Sequence, residues 1–105
     1  MNQWHFTQIG GARLDFFNAT WPFARLSGNS DAILLGCLGR KYFFPKTKIV
    51  RLRRYRGILS TGLQIEHTER SFPGFVVFWA SVFSWSCGFK RLKSSLEDLG
   101  YEVED

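Results

Sequence analysis

The chain has 105 residues, 45% of them hydrophobic and 22% charged, with a net charge of +5. That length and balance fit one domain with its own core and exclude a low-complexity or disordered chain. They also exclude a disulfide scaffold, since Cys37 and Cys87 are the only cysteines, and they share no CxxC spacing.

In chain order, residues 1–15 are weakly patterned and read as an arm, a short first strand or a frayed end. Their lack of a cationic start and an apolar block argues against a secretory signal. Residues 16–26 read as a strand, with Ala19, Trp21 and Phe23 on one face and Thr20, Pro22 and Ala24 on the other. Pro22 donates no ladder hydrogen bond, so it implies an edge position or a bulge. Ser27-Gly28-Asn29-Ser30-Asp31 is a turn by composition.

The apolar run of residues 33–38, with Gly36 inside it, reads as a buried strand. Gly39-Arg40 connects it tightly to a strand over residues 41–44, and Pro45-Lys46-Thr47 turns the chain again. Residues 48–55 form the most basic strand, with Val50 and Leu52 on one side and Arg51 and Arg53 on the other. Beyond a loop bracketed by Gly57 and Ser60-Thr61-Gly62, Leu63, Ile65 and His67 alternate with Gln64 and Glu66 as a half-buried strand. Pro73-Gly74 breaks the chain before Phe75-Val76-Val77-Phe78-Trp79, a central strand by its β-branched and aromatic content. Aromatic residues make up 17% of the chain, and most are expected in the core.

A helix over residues 86–100 closes the sequence. Phe89, Leu92, Leu96 and Leu99 recur at helical spacing, Ser84 or Ser86 can cap its start, and Gly100 is placed to end it. Lys90, Arg91 and Lys93 sit early and Glu97 and Asp98 late, against the macrodipole. Four buried apolar side chains outweigh that opposition of a few tenths of a kcal/mol each, so the helix forms by docking on the sheet.

This order of elements is that of pleckstrin-homology-like (PH-like) barrels. The runs Trp21-Pro22-Phe23-Ala24-Arg25-Leu26 and Tyr42-Phe43-Phe44-Pro45-Lys46-Thr47-Lys48-Ile49-Val50 resemble small bacterial members of that superfamily. Gly62-Leu63-Gln64-Ile65-Glu66-His67, Phe75-Val76-Val77-Phe78-Trp79 and Leu96-Glu97-Asp98-Leu99-Gly100-Tyr101 extend the likeness over residues 16–103. The resemblance implies an α+β, mostly β fold over residues 1–105. Six or seven antiparallel strands would form two near-orthogonal sheets, capped by the C-terminal helix. Relatives bind phosphoinositides or peptides or act as scaffolds. The phosphoinositide binders carry basic residues around the loop joining the first two strands. The matching segment here, Ser27 to Asp31, has no Lys or Arg, which argues against that mode.

No clustered metal ligands, Ser-His-Asp order, HExxH or P-loop is present, so neither an enzyme nor a cofactor or metal is expected. His5 and His67 lie in separate segments, and each cysteine reads as a small buried apolar residue. The functional candidate is the basic strand and its approach, Lys46, Lys48, Arg51, Arg53, Arg54 and Arg56, in a region free of acids from residue 32 to 65. These cations fit an anionic membrane surface or an acidic protein, and equally keep a sheet face soluble. Nucleic acid is the alternative, with Tyr42, Phe43, Phe44 and Tyr55 interleaved as stacking platforms. The acidic end, Glu97, Asp98, Glu102, Glu104 and Asp105, offers head-to-tail pairing between copies. With no run of about 20 apolar residues to span a bilayer, the expected location is cytoplasmic or peripheral to the membrane.

Overall fold

The computed structural model describes residues 3–15, 17–57, 60–81 and 88–105. The strands are β1 (Phe6–Leu14), β2 (Phe17–Gly28), β3 (Ala32–Cys37), β4 (Arg40–Pro45), β5 (Ile49–Arg56), β6 (Thr61–His67), β7 (Val76–Ser81) and β8 (Val103–Glu104). A single α-helix, α1 (Gly88–Asp98), lies between β7 and β8, and a one-turn 3-10 helix (Lys46–Lys48) links β4 to β5. All eight strands join one sheet in the order β4-β3-β2-β1-β7-β6-β5-β8. The fold is mostly β with one C-terminal helix, as expected, but the sheet is continuous and curls into an open half-barrel. Its pairs are antiparallel except β5–β8, which is parallel.

Residues 6–14, expected as part of an arm or a short strand, form a nine-residue strand at the middle of the sheet. β1 pairs with β2 on one side and β7 on the other, and so joins the two halves that were expected as separate sheets. As a consequence Ser27 to Asp31 connects the second and third strands rather than the first two. Asn29 organises that turn: its Oδ1 accepts from the amides of Asp31 at 2.8 Å and Ala32 at 2.9 Å. At the β3–β4 turn, Leu38 and Gly39 both have positive φ.

Three register shifts bend the sheet. The largest lies in β2. Gly10 opposes Ala24 and Ala12 opposes Ala19, so residues 20–23 bulge out opposite Gly11. Pro22 therefore marks a bulge in an interior strand. Ala19 and Ala24 both face the core, whereas Trp21 and Phe23, expected on the face of Ala19, are 58% and 56% exposed. A second shift separates Ile49 from Arg51 and turns Val50 out to 63% exposure, away from the face of buried Leu52 where the alternation placed it.

The concave side holds the core. Leu26, Ile33, Leu35, Phe44, Leu52, Leu63, Ile65, Val76 and Phe78 line it, and Phe89, Leu92 and Leu96 of α1 pack into its mouth beside Tyr101. Leu99 packs at the edge of the same cluster, half-buried. The expected stripe is thus the docking stripe, on a helix that ends at Asp98, two residues earlier than expected. Ser84, Ser86 and Cys87 lie outside the described residues. Gly100, at φ +94°, ends the helix: the Tyr101 amide donates to the Leu96 carbonyl and the Gly100 amide to that of Glu97. The Tyr101 hydroxyl then donates to the Asn29 carbonyl at 2.9 Å, tying the end of the chain to the β2–β3 turn. Burial first, and the charge of Asp31 second, push the Tyr101 hydroxyl pKa up to about 12.

Candidate functional site

Five of the six basic residues singled out by the sequence are engaged within the chain. Lys46 donates to the Gly100 carbonyl at 3.3 Å and lies over the Tyr101 ring. Lys48 pairs with Glu69 at 3.0 Å, Arg51 with Glu104 at 3.4 Å and Arg53 with Glu66 at 3.5 Å. Arg54 is half-buried over the Phe89 ring, 3.9 Å from Asp105, with its Nε buried and without a hydrogen-bond partner. Asp105 also takes Lys93 of α1 at 2.7 Å. The acidic end of the chain therefore folds back on β5 of the same molecule.

These pairs are exposed, so each is worth roughly 0–1 kcal/mol. Their effect is on the field: an anion approaching β5 meets Glu66, Glu69, Glu104 and Asp105 among the cations. The hydrogen bond from Lys48, with others from Ser71, lowers the Glu69 pKa to about 2. The hydrogen bond between Lys93 and Asp105 likewise lowers the Asp105 pKa and raises that of Lys93. The depression beside β5 is small, about 260 Å³, and sets Glu102 and Glu104 against Lys46 and Arg51.

Arg56 differs. It takes part in no ion pair among the described residues and lines a cleft of about 790 Å³. The cleft runs over the convex side of β1, β7 and β5 and is bounded by Thr20 and Trp21 of the bulge. Tyr55 and Trp79 form its aromatic wall, with ring centroids 5.7 Å apart at 63°, and Arg13 and Asn18 reach it from β1 and β2. The Asn18 Oδ1 accepts from the Trp79 indole N–H at 3.2 Å and fixes the ring. No carboxylate lines the cleft among the described residues.

On the other side of the bulge lies a groove of about 420 Å³ over β2, β3 and β4. Gly36 leaves its floor bare, and register sets Arg25 and Lys41 on either side of Gly36. Arg40 joins them, and Trp4, Phe23 and Leu38 line the groove. Leu38, at the β3–β4 turn, is 55% exposed, and its amide donates to the Phe23 carbonyl at 3.3 Å. Arg25, Arg40 and Lys41 take part in no ion pair among the described residues. Cys37 lines this groove with a buried side chain, and burial raises its thiol pKa.

Sequence reasoning expected most aromatic residues in the core, offered only Tyr55 of the cleft wall as a stacking ring, and so missed both depressions. The available signal was Pro22, whose bulge reading moves Trp21 and Phe23 to the surface. Of the four expected stacking residues, Tyr42 and Phe44 belong to the core side, where both pack on Phe72, whereas Phe43 is 44% exposed and Tyr55 lines the cleft. His67 is structural: its Nε2 donates to the Pro73 carbonyl at 2.8 Å and its Nδ1 accepts from the Glu69 amide at 3.0 Å. Among the described residues no group of three or more His, Cys, Asp or Glu could hold a metal ion. None of their helices is long and apolar enough to cross a membrane. Comparison with family models, curated proteins and solved structures finds no match to this chain.

Proposed function

We propose that the protein is a non-enzymatic binding module of PH-like architecture that docks on an anionic membrane surface. The contact is the rim where the β2 bulge meets the β3–β4 turn. One observation carries this reading: Phe23 and Leu38, each more than half exposed, line one groove with Arg25, Arg40 and Lys41, which take part in no ion pair among the described residues, and Trp21 is equally exposed on the same bulge. Large apolar side chains clustered on a surface mark an interaction site. Trp and Phe favour the interfacial depth of a bilayer, and basic residues supply attraction to its anionic headgroups.

The magnitudes favour a reversible contact. Each cation near an anionic leaflet contributes about 1 kcal/mol. Each half-exposed apolar side chain adds about 1 kcal/mol on burial. Neither set alone holds the protein on a membrane, whereas together they give a measurable affinity that salt weakens.

Co-sedimentation with phosphatidylglycerol-containing vesicles, against pure phosphatidylcholine vesicles, tests the reading. The protein is expected to bind the anionic vesicles at low salt and to leave them at high salt. Trp21→Ala/Phe23→Ala should weaken binding about tenfold or more, a loss of about 1.4 kcal/mol, with little change in the thermal midpoint because both rings are exposed. Equal binding to neutral vesicles, or none to anionic ones, would reject the proposal and leave an acidic protein partner as the reading to pursue.

A further inference from the structure

The larger cleft differs from the rim in chemistry. The rim sets exposed Phe23 and Leu38 beside three cations around a shallow groove of about 420 Å³, whereas the cleft is larger and has an aromatic wall, which suits a discrete ligand. At about 790 Å³ it falls within the range of roughly 300–1,000 Å³ typical of small-molecule sites. From its lining we infer that the cleft between Trp21 and the Tyr55–Trp79 wall binds a nucleotide unit, as a free nucleotide or as one residue of a single-stranded nucleic acid.

Three features support the inference. The first is the stacking surface. Trp79 is held by Asn18 on one side and Tyr55 on the other, while Trp21 is 58% exposed across the opening. A planar base placed among these rings gains roughly 1–3 kcal/mol by stacking. Because the Asn18 bond and the packing against Tyr55 already fix the Trp79 ring, little side-chain entropy is lost when a base binds.

The second is charge. Arg13 and Arg56 both line the cleft, and neither takes part in an ion pair among the described residues. Guanidinium groups suit phosphate because their fork matches two of its oxygens. No carboxylate lines the cleft among the described residues, so the two guanidinium groups set its charge and favour an anion. The third is polar supply: Ser60, Thr20 and the Gly57 backbone lie on the cleft wall, within the lining that a sugar would meet.

Nuclear magnetic resonance of the indole N–H groups tests this, with adenosine 5′-monophosphate, adenosine, inorganic phosphate and an oligoadenylate as separate probes. The monophosphate is expected to shift the Trp21 and Trp79 resonances and leave that of Trp4 in place. Adenosine and phosphate should each bind about tenfold more weakly or worse, because each satisfies only half of the site. Arg13→Gln/Arg56→Gln should weaken the monophosphate about tenfold or more. Trp21→Ala should do the same through loss of stacking, and its exposed position keeps the fold intact. An oligoadenylate binding at least tenfold tighter than the monophosphate assigns the site to single-stranded nucleic acid. Comparable affinities assign it to a free nucleotide.

No shift at Trp21 or Trp79 with either monophosphate or oligoadenylate would overturn the inference. So would shifts that survive Arg13→Gln/Arg56→Gln unchanged. The test is separable from vesicle binding, because Arg25→Gln/Lys41→Gln alters the rim and should leave the monophosphate shifts as they are.

Discussion

Leu96→Asp is expected to abolish cooperative folding. Leu96 is fully buried at the mouth of the half-barrel, between α1 and the sheet. Removing a buried leucine side chain costs about 2–5 kcal/mol through lost transfer energy and the cavity left behind. A carboxylate in its place either stays charged in an apolar site or takes up a proton, and each route adds several kcal/mol. Together these terms reach the roughly 5–15 kcal/mol that holds a small domain folded. Thermal denaturation followed by circular dichroism should therefore show no cooperative transition. Two controls fix the interpretation. Leu96→Met keeps the volume and should cost less than about 1.5 kcal/mol. Ser94→Asp, on the exposed side of the same helix, should leave the midpoint within a few degrees of wild type. A wild-type midpoint for Leu96→Asp would mean that the helix does not close the core.

The second large effect is expected at Gly10, where β1 approaches β7 too closely for any side chain. A Cβ at that position would overlap the Trp79 carbonyl oxygen and come within 2.8 Å of the Phe78 Cζ. The obstacle is backbone on one side and a fully buried ring on the other, so neither can swing aside. Overpacking of this kind costs about 1–3 kcal/mol and more where backbone must shift. Gly10→Ala should lower the thermal midpoint by more than about 10 °C, given about 4–8 °C per kcal/mol for a domain of this size. Gly74→Ala is the matched control: its Cβ would meet nothing within 4 Å, so the midpoint should hold. Equal midpoints for the two variants would contradict the position of β1 in the middle of the sheet.

Gly10 also shows why part of the fold was not legible from sequence. Paired glycines at 10 and 11 carry no side chain to continue the alternation, so the period-two signal that marks a strand fails where β1 packs most tightly. The helix was legible because its stripe has no such interruption: Phe89, Leu92 and Leu96 are buried at the expected spacing. β6 was legible for the same reason, its buried Leu63 and Ile65 keeping the alternation, and β7 was legible from its β-branched and aromatic content, with Val76, Val77 and Phe78 all fully buried.

The surface was harder to read. A bulge inserts residues without changing the sequence pattern, so alternation carried across it assigns the wrong face to the residues beyond. That error buried Trp21 and Phe23 and turned Val50 inward. The basic strand and the acidic end could both be found from composition, but their meeting within one molecule rather than between copies could not. Glu104 and Asp105 lie about fifty residues away in sequence and meet Arg51 and Arg54 only because β8 adds to β5. Arg25 and Lys41 looked unremarkable in sequence, yet strand register places them on either side of Gly36.

If the anionic surface is met at the rim beside the β2 bulge, and away from the neutralised strand β5, the two sets of cations must differ in their effect on binding. Measuring vesicle affinity of Arg25→Gln/Lys41→Gln against Arg51→Gln/Arg53→Gln tests this directly. Both pairs lower the formal net charge from +5 to +3, so any difference reports position rather than total charge. The rim pair is expected to weaken binding to phosphatidylglycerol vesicles about tenfold or more, and the strand pair less than about twofold. Equal losses, or a larger loss from the strand pair, would contradict docking at the rim.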